Sequence, residues 1–357
     1  MKKNYFMLAL ASMMMAACAN NDLVDDLVKE EVPQAIGFET FAQKATRVTS
    51  AITDLATHHD KYYVWGYKNT DNTNLVFSAQ EVTASNNSYS PTKYWDKAAS
   101  TYYFYATAPN GFTFLGDANN QDAAYFTLTD LTMKCTNFTT SASTTATTAL
   151  KKASGDIDYM ISTTTAKSND ANAINKFYNP VDFNFKHILS RLNVTVNDKD
   201  ANTSNVKLNF VDVYGLITKA SFTSNSNDMD TRWSKTSTTN KYTSLAVDEV
   251  SYVTSGATYV LECLVIPQTV GYEAVNLDGT GTKTKPYVHV QYVMQGETFN
   301  AYYNLAALFG ADGTDKTSVN LSEAQQNTLN IIFNPAGIEF STSTTAWTSG
   351  TGSTTIN

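Results

Sequence analysis

PYVHVQYVM, residues 286–294, alternates Val288, Val290 and Tyr292 with His289 and Gln291. Side chains two apart share one face of an extended chain, so the stretch reads as a strand with one face in a core and the other toward water. The habit continues outward. TLNIIFN (328–334) follows it, and ATYVLECLVIP (257–267), VKLNFVDVYG (206–215) and FNFKHILSRLNVTV (183–196) precede it. Nearer the amino end lie AIGFETFA (35–42), YYVWGYK (62–68), LVFSA (75–79) and TYYFYATAP (101–109), rich in β-branched and aromatic residues and bounded by turn formers. GDIDYMIS (155–162) resumes strand character after a Ser/Thr/Ala segment, 139–153, that reads as a surface loop. Past the amino terminus only NLAALFG (304–310) reads as a helix. Closely spaced strands without alternating helices predict an all-β fold of antiparallel sandwiches.

A chain of 357 residues exceeds what one small core serves, so two domains are expected, with the boundary near Pro180: residues 35–180 and 181–357. The net charge is −8 and no segment gathers Lys or Arg into a stripe, which argues against nucleic acid as a partner. Only 16% of residues are charged, so Ser, Thr and Asn must cover the solvated strand faces.

At the amino terminus Lys2 and Lys3 precede an apolar run, Tyr5 to Ala17, too short to anchor as a membrane span. It reads as a signal peptide, residues 1–17. Met15, Ala16 and Ala17 lead directly to Cys18, the arrangement of a bacterial lipobox. Only a thiol forms the thioether to diacylglycerol that such processing needs, so Cys18 is the expected lipidation site. Ordinary cleavage after Ala17 or Ala19, leaving a secreted chain, is the competing reading. Residues 18–34 are polar and acidic and read as a tether.

The remaining cysteines are Cys135 and Cys263. Cys263 shares a strand face with Tyr259, Leu261 and Val265 and reads as a small core residue; whether it pairs with Cys135 is left open by the sequence. No histidines have metal-ligand spacing: His58 and His59 are adjacent, and His187 and His289 stand alone. The carboxylates of DMD (228–230) and GADGTD (310–315) lack the EF-hand pattern and read as turns. No nucleophile elbow, P-loop or dinucleotide fingerprint is present, so neither catalysis nor a cofactor is expected.

Several stretches, in order, carry a resemblance: the lipobox at Cys18, IGFETFAQKATR (36–47), KYWDKAASTYYFYATAPNG (93–111), DIDYMIS (156–162), FNFKHILSRLNVTV and the terminal IEFSTSTTAW (338–347). Together they resemble the fimbrillin family of lipoprotein pilins and adhesins. The resemblance implies two tandem transthyretin-like β-sandwich domains in a non-enzymatic subunit of a surface fimbria that contributes to adhesion. It also implies assembly by strand exchange: the first strand is cut away after Arg47, before Val48, and the emptied groove accepts a strand from a neighbour. Ile36 and Phe38 would then fill the groove in the precursor, and Ile338, Phe340 and Trp347 would supply the donor strand. A final strand kept in its own domain would point instead to a tip or accessory subunit. Implied partners are other fimbrial subunits, the outer-membrane lipid anchor and a host or bacterial surface receptor. The rival reading is a monomeric glycan-binding lipoprotein of a nutrient-uptake system, whose sign would be the aromatic runs YYVWGY and TYYFY lying on one exposed face.

Overall fold

The alternation in PYVHVQYVM forms a strand, β17 (Tyr287–Met294), with Val288 and Val290 fully buried and His289 and Gln291 half-buried on the other face. The computed structural model describes residues 33–42, 55–56, 59–69, 71–116, 124–133, 157–162, 165–170, 176–198, 206–243, 258–274, 276, 278–281, 283–309, 317–334 and 337–346. Cys18, Arg47, Val48, His58, Cys135, Trp347, the 139–153 segment and all of GADGTD lie outside them. The chain divides into two compact units, Met1–Gln34 and Ala35–Asn357, and the second is the all-β body described below.

A seven-stranded sheet opens the body. Its order is β1 (Phe38–Ala42), β9 (Val181–His187), β7 (Met160–Ser162), β4 (Thr101–Ala108), β2 (Lys61–Lys68) and β3 (Leu75–Thr83), with β8 (Thr165–Ser168) also on β4. The inner strands are buried on both faces. Tyr62 and Val64 of β2 with Tyr102 and Phe104 of β4 enter one apolar cluster, while Trp65, Tyr67 and Tyr105 enter another. The aromatic runs YYVWGY and TYYFY therefore mostly fill cores: Tyr62, Trp65, Tyr67, Tyr102, Phe104 and Tyr105 are all buried. Gly66 is required by close approach, because a Cβ there would lie 3.0 Å from the Phe104 ring. Opposite it, a bulge near Ala79 (φ 48°) lets Phe77 and Val82, which have opposite parity, face the same cluster.

FNFKHILSRLNVTV is divided between these clusters. Phe183 and Phe185 belong to β9 and the first one; after a turn at Ile188 and Leu189, Leu192, Val194 and Val196 of β10 (Ser190–Asp198) enter the second. The strand beginning just after Pro180 thus completes the first sheet. A further sheet draws on both sides of that point: β13 (Trp233–Lys235), β12 (Lys219–Thr223), β6 (Tyr125–Thr132) and β5 (Thr113–Leu115).

Two four-stranded sheets build the carboxyl-terminal part. One runs β15 (Thr258–Val265), β10, β20 (Gln325–Asn334), β21 (Gly337–Ala346); the other runs β14 (Thr239–Thr243), β11 (Lys207–Ile217), β17, β18 (Glu297–Asn304). Leu329, Ile331 and Phe333 from one and Val211, Val213, Val288 and Val290 from the other meet in a common core. Most pairings are antiparallel, as the sequence predicts, but β1 with β9 and β10 with β20 are parallel. Parallel neighbours need long connections, and these partners lie far apart in the chain. NLAALFG supplies the helix Leu305–Phe309, and DMD starts a one-turn helix, Met229–Arg232, capped by Asp228.

Candidate functional site

The segment whose fate decides assembly is AIGFETFA. Its alternation places Ile36, Phe38 and Thr40 inward, at 1%, 5% and 1% exposure. Gly37 is exposed and Glu39 half-exposed. From Phe38 to Ala42 the strand runs parallel to β9, Phe38 opposite Val181 and Ala42 opposite Phe185. It ends the sheet: among the described residues no strand pairs with its outer edge.

Its amino-terminal end is fastened separately. The Ile36 amide donates to the Lys93 carbonyl at 2.9 Å, the Val181 amide donates to the Gly37 carbonyl at 2.8 Å, and Ala35 bridges to Tyr94. The Tyr89 hydroxyl donates to the Ile36 carbonyl at 2.7 Å. Burial is the main cause that raises the Tyr89 pKa, which keeps this donor protonated.

Phe38 is the anchor. Its ring lies 5.1 Å from Tyr89, 5.3 Å from Phe77, 5.6 Å from Phe183 and 6.2 Å from Phe104, centroid to centroid. Burying Ile36 and Phe38 stabilises the seated strand by roughly 1.5–3 kcal/mol each. Thr40 opposes this. Its hydroxyl is buried and has no hydrogen-bond partner among the described residues, a defect that costs about 1–3 kcal/mol. The strand is held by two apolar pockets, one ladder and a latch, and carries one flaw.

At the other end of the chain Ile338 and Phe340 lie on β21, also the last strand of its sheet. β21 pairs antiparallel with β20 along its whole length, Gly337 opposite Asn334 and Ala346 opposite Gln325. Both side chains are half-buried, and the Phe340 ring stands 4.3 Å from Tyr303. The rest of β21 is mostly Ser and Thr, and its final residues are exposed. Ile338 and Phe340 are two residues apart, the same interval as Ile36 and Phe38.

Residues 46–347 of this body, a span that includes β21 and begins after β1, match the fimbrillin-like family. The chain belongs to the fimbrillin-like family. Among solved structures it is similar to a fimbrial protein from Bacteroides vulgatus ATCC 8482, with 14% identity, 88% of this chain and 99% of the other covered, and a TM-score of 0.50. A candidate cell adhesion protein from Bacteroides uniformis ATCC 8492 shows 16% identity, coverage of 88% and 98%, and a TM-score of 0.48. At 14% identity the likeness to the fimbrial protein is one of fold. No curated protein matches the chain.

Of the residues singled out in this fimbrillin-like sequence, Ile36 and Phe38 sit in a groove and Ile338 and Phe340 on an edge strand. Thr40, Tyr89 and Lys93 join the first site without having been singled out. Thr40 follows from parity, two residues beyond Phe38, whereas the latch of Tyr89 and Lys93 has no local signal. Cys263 is buried, its Sγ 3.6 Å from the Leu192 carbonyl. His187 is buried with its Nδ1 2.9 Å from Asp158, and His289 stacks on Tyr302 at 4.1 Å. Among the described residues no group of three or more His, Cys, Asp or Glu could hold a metal ion.

Proposed function

We propose that this fimbrillin-like chain is a non-enzymatic structural subunit of a surface fimbria, contributes to cell adhesion, and joins its neighbours by strand exchange. The observation that carries this reading is the seating of β1: a short edge strand with a single strand neighbour among the described residues, whose apolar side chains fill pockets lined by other strands. Cleavage between Arg47 and Val48, just beyond Ala42, separates β1 covalently from the body. Its departure uncovers the β9 edge together with the Ile36 and Phe38 pockets, and both demand a replacement.

The donor is β21. It leaves its sheet by breaking one strand pairing, that with β20, and the spacing of Ile338 and Phe340 fits the vacated pockets. Trp347 extends the apolar series. A joint between the carboxyl-terminal strand of one copy and the amino-terminal groove of the next is heterologous and continues into a fibre. Removal of residues 1–17 and lipidation of Cys18 hold the precursor on the outer membrane, with 18–34 as the tether. Two tandem sandwiches then form the body, the first completed by β9, which begins just past Pro180.

Treatment of the full precursor with an arginine-specific protease tests the joint. Electron microscopy should show fibres only after the cut, and loss of fibres on Arg47→Gln. Persistent monomers at high concentration after complete cleavage would refute strand exchange. Separately, Cys18→Ala should release the precursor from membranes.

A further inference from the structure

A cleft of about 800 Å3 opens where the sheet containing β6 meets the end of β9, and no part of it belongs to the β1 seat. That volume suits a small molecule or one or two sugar rings, not an added strand. One wall carries Arg232 and Glu323. The guanidinium lies 5.0 Å over the Phe222 ring, and its Nη1 is 2.8 Å from Glu323 Oε2. The other Glu323 oxygen accepts from Trp233 Nε1 at 2.7 Å. Both Glu323 oxygens are thereby engaged, and Glu323 acts as a positioning residue for Arg232. Burial raises its carboxyl pKa against the opposing pull of Arg232. A partly buried ion pair of this kind is weak as a stabilising device, because desolvation offsets its attraction.

The groups facing the cleft are richer in donors than in acceptors. The Glu323 pair engages Nη1 of Arg232, and Nη2 makes no ion pair among the described residues. Lys186, half-buried on β9, has no ion-pair partner among them either. Asn225 accepts from Thr223 through its carbonyl oxygen at 3.1 Å, which leaves its amide donors open. Tyr125, half-buried, adds an aromatic surface beside them. A planar guanidinium held in place and a nearby ammonium suit a carboxylate, whereas amides and an aromatic ring suit the hydroxyls and C–H face of a pyranose.

We infer that this cleft binds a carboxylate-bearing sugar residue, its acid group received by Arg232 and Lys186 and its hydroxyls by the Asn225 rim. The inference deepens the adhesive part of the proposed function and rests on it for its meaning. Its test is made on single chains, so failure leaves the joining of subunits untouched.

Isothermal titration of the full chain with glucuronic acid, N-acetylneuraminic acid and glucose provides that test. At least one of the acids should bind about tenfold more tightly than glucose, a difference of about 1.4 kcal/mol. Lys186→Gln should remove most of that preference while leaving the unfolding midpoint unchanged, since no ion pair among the described residues is lost with it. Arg232→Lys keeps the charge but loses the fork, and should weaken the acids in the same sense. Absence of binding by both acids, equal affinity for glucose, indifference to Lys186→Gln, or equally tight binding of a short oligoglutamate would each overturn the inference.

Discussion

Thr40→Val offers a sharp probe of the first strand, because it changes one group whose surroundings are known. Thr40 is 1% exposed and its hydroxyl meets no partner among the described residues. Valine has nearly the same shape, keeps the β-branched preference for strands, and replaces the stranded hydroxyl with a methyl. Relief of the unpaired polar group is worth about 1–3 kcal/mol. Part of that is absorbed by imperfect packing of the new methyl, so a net gain of about 1–2 kcal/mol is expected. Urea unfolding of the uncleaved precursor should show a higher midpoint at an unchanged m-value. In the cleaved chain, β1 should dissociate more slowly, by about tenfold for ~1.4 kcal/mol, if the gain is confined to the seated strand. An unchanged or lower midpoint would refute the reasoning, since it would mean that the hydroxyl is satisfied in the folded chain. A higher midpoint with unaltered release of β1 would refute the assignment of the gain to the seat.

Gly66→Ala forces a Cβ to within 3.0 Å of the Phe104 ring and 3.3 Å of Phe77. It should lower the unfolding midpoint by an amount equivalent to about 1–3 kcal/mol, and an unchanged midpoint would show that the two rings yield without cost. Burial raises the pKa of both Tyr62 and Tyr89. A phenol whose pKa is higher in the folded state contributes stability that is complete below the unfolded value, about 10, and is lost as pH rises through the folded value. Stability measured by urea titration should therefore decline above about pH 10, and less steeply in Tyr62→Phe; identical alkaline profiles for the two proteins would count against this origin.

Half of the first site is legible in the sequence. The pattern of AIGFETFA puts Ile36 and Phe38 on one face, and continuing that parity reaches Thr40. Whether the face meets a groove is decided by Phe77, Tyr89, Phe104 and Phe183, which come from four distant places in the chain. The cleft is less legible still. Lys186, Asn225, Arg232 and Glu323 share no spacing; the pairing of β6 with β12, the turn after β9 and the bond from the Ala324 amide to the Leu189 carbonyl bring their segments together.

The sequence by itself determined that this chain forms strands and which side of each strand is apolar, because side-chain direction along a strand has a period of two and depends on nearest neighbours alone. Only the tertiary structure decided the partners. It set β1 beside β9 and β10 beside β20 in parallel, and it sent the two halves of FNFKHILSRLNVTV into different clusters. Such choices turn on the closure of long loops and the fit of whole faces, which no local run of residues encodes.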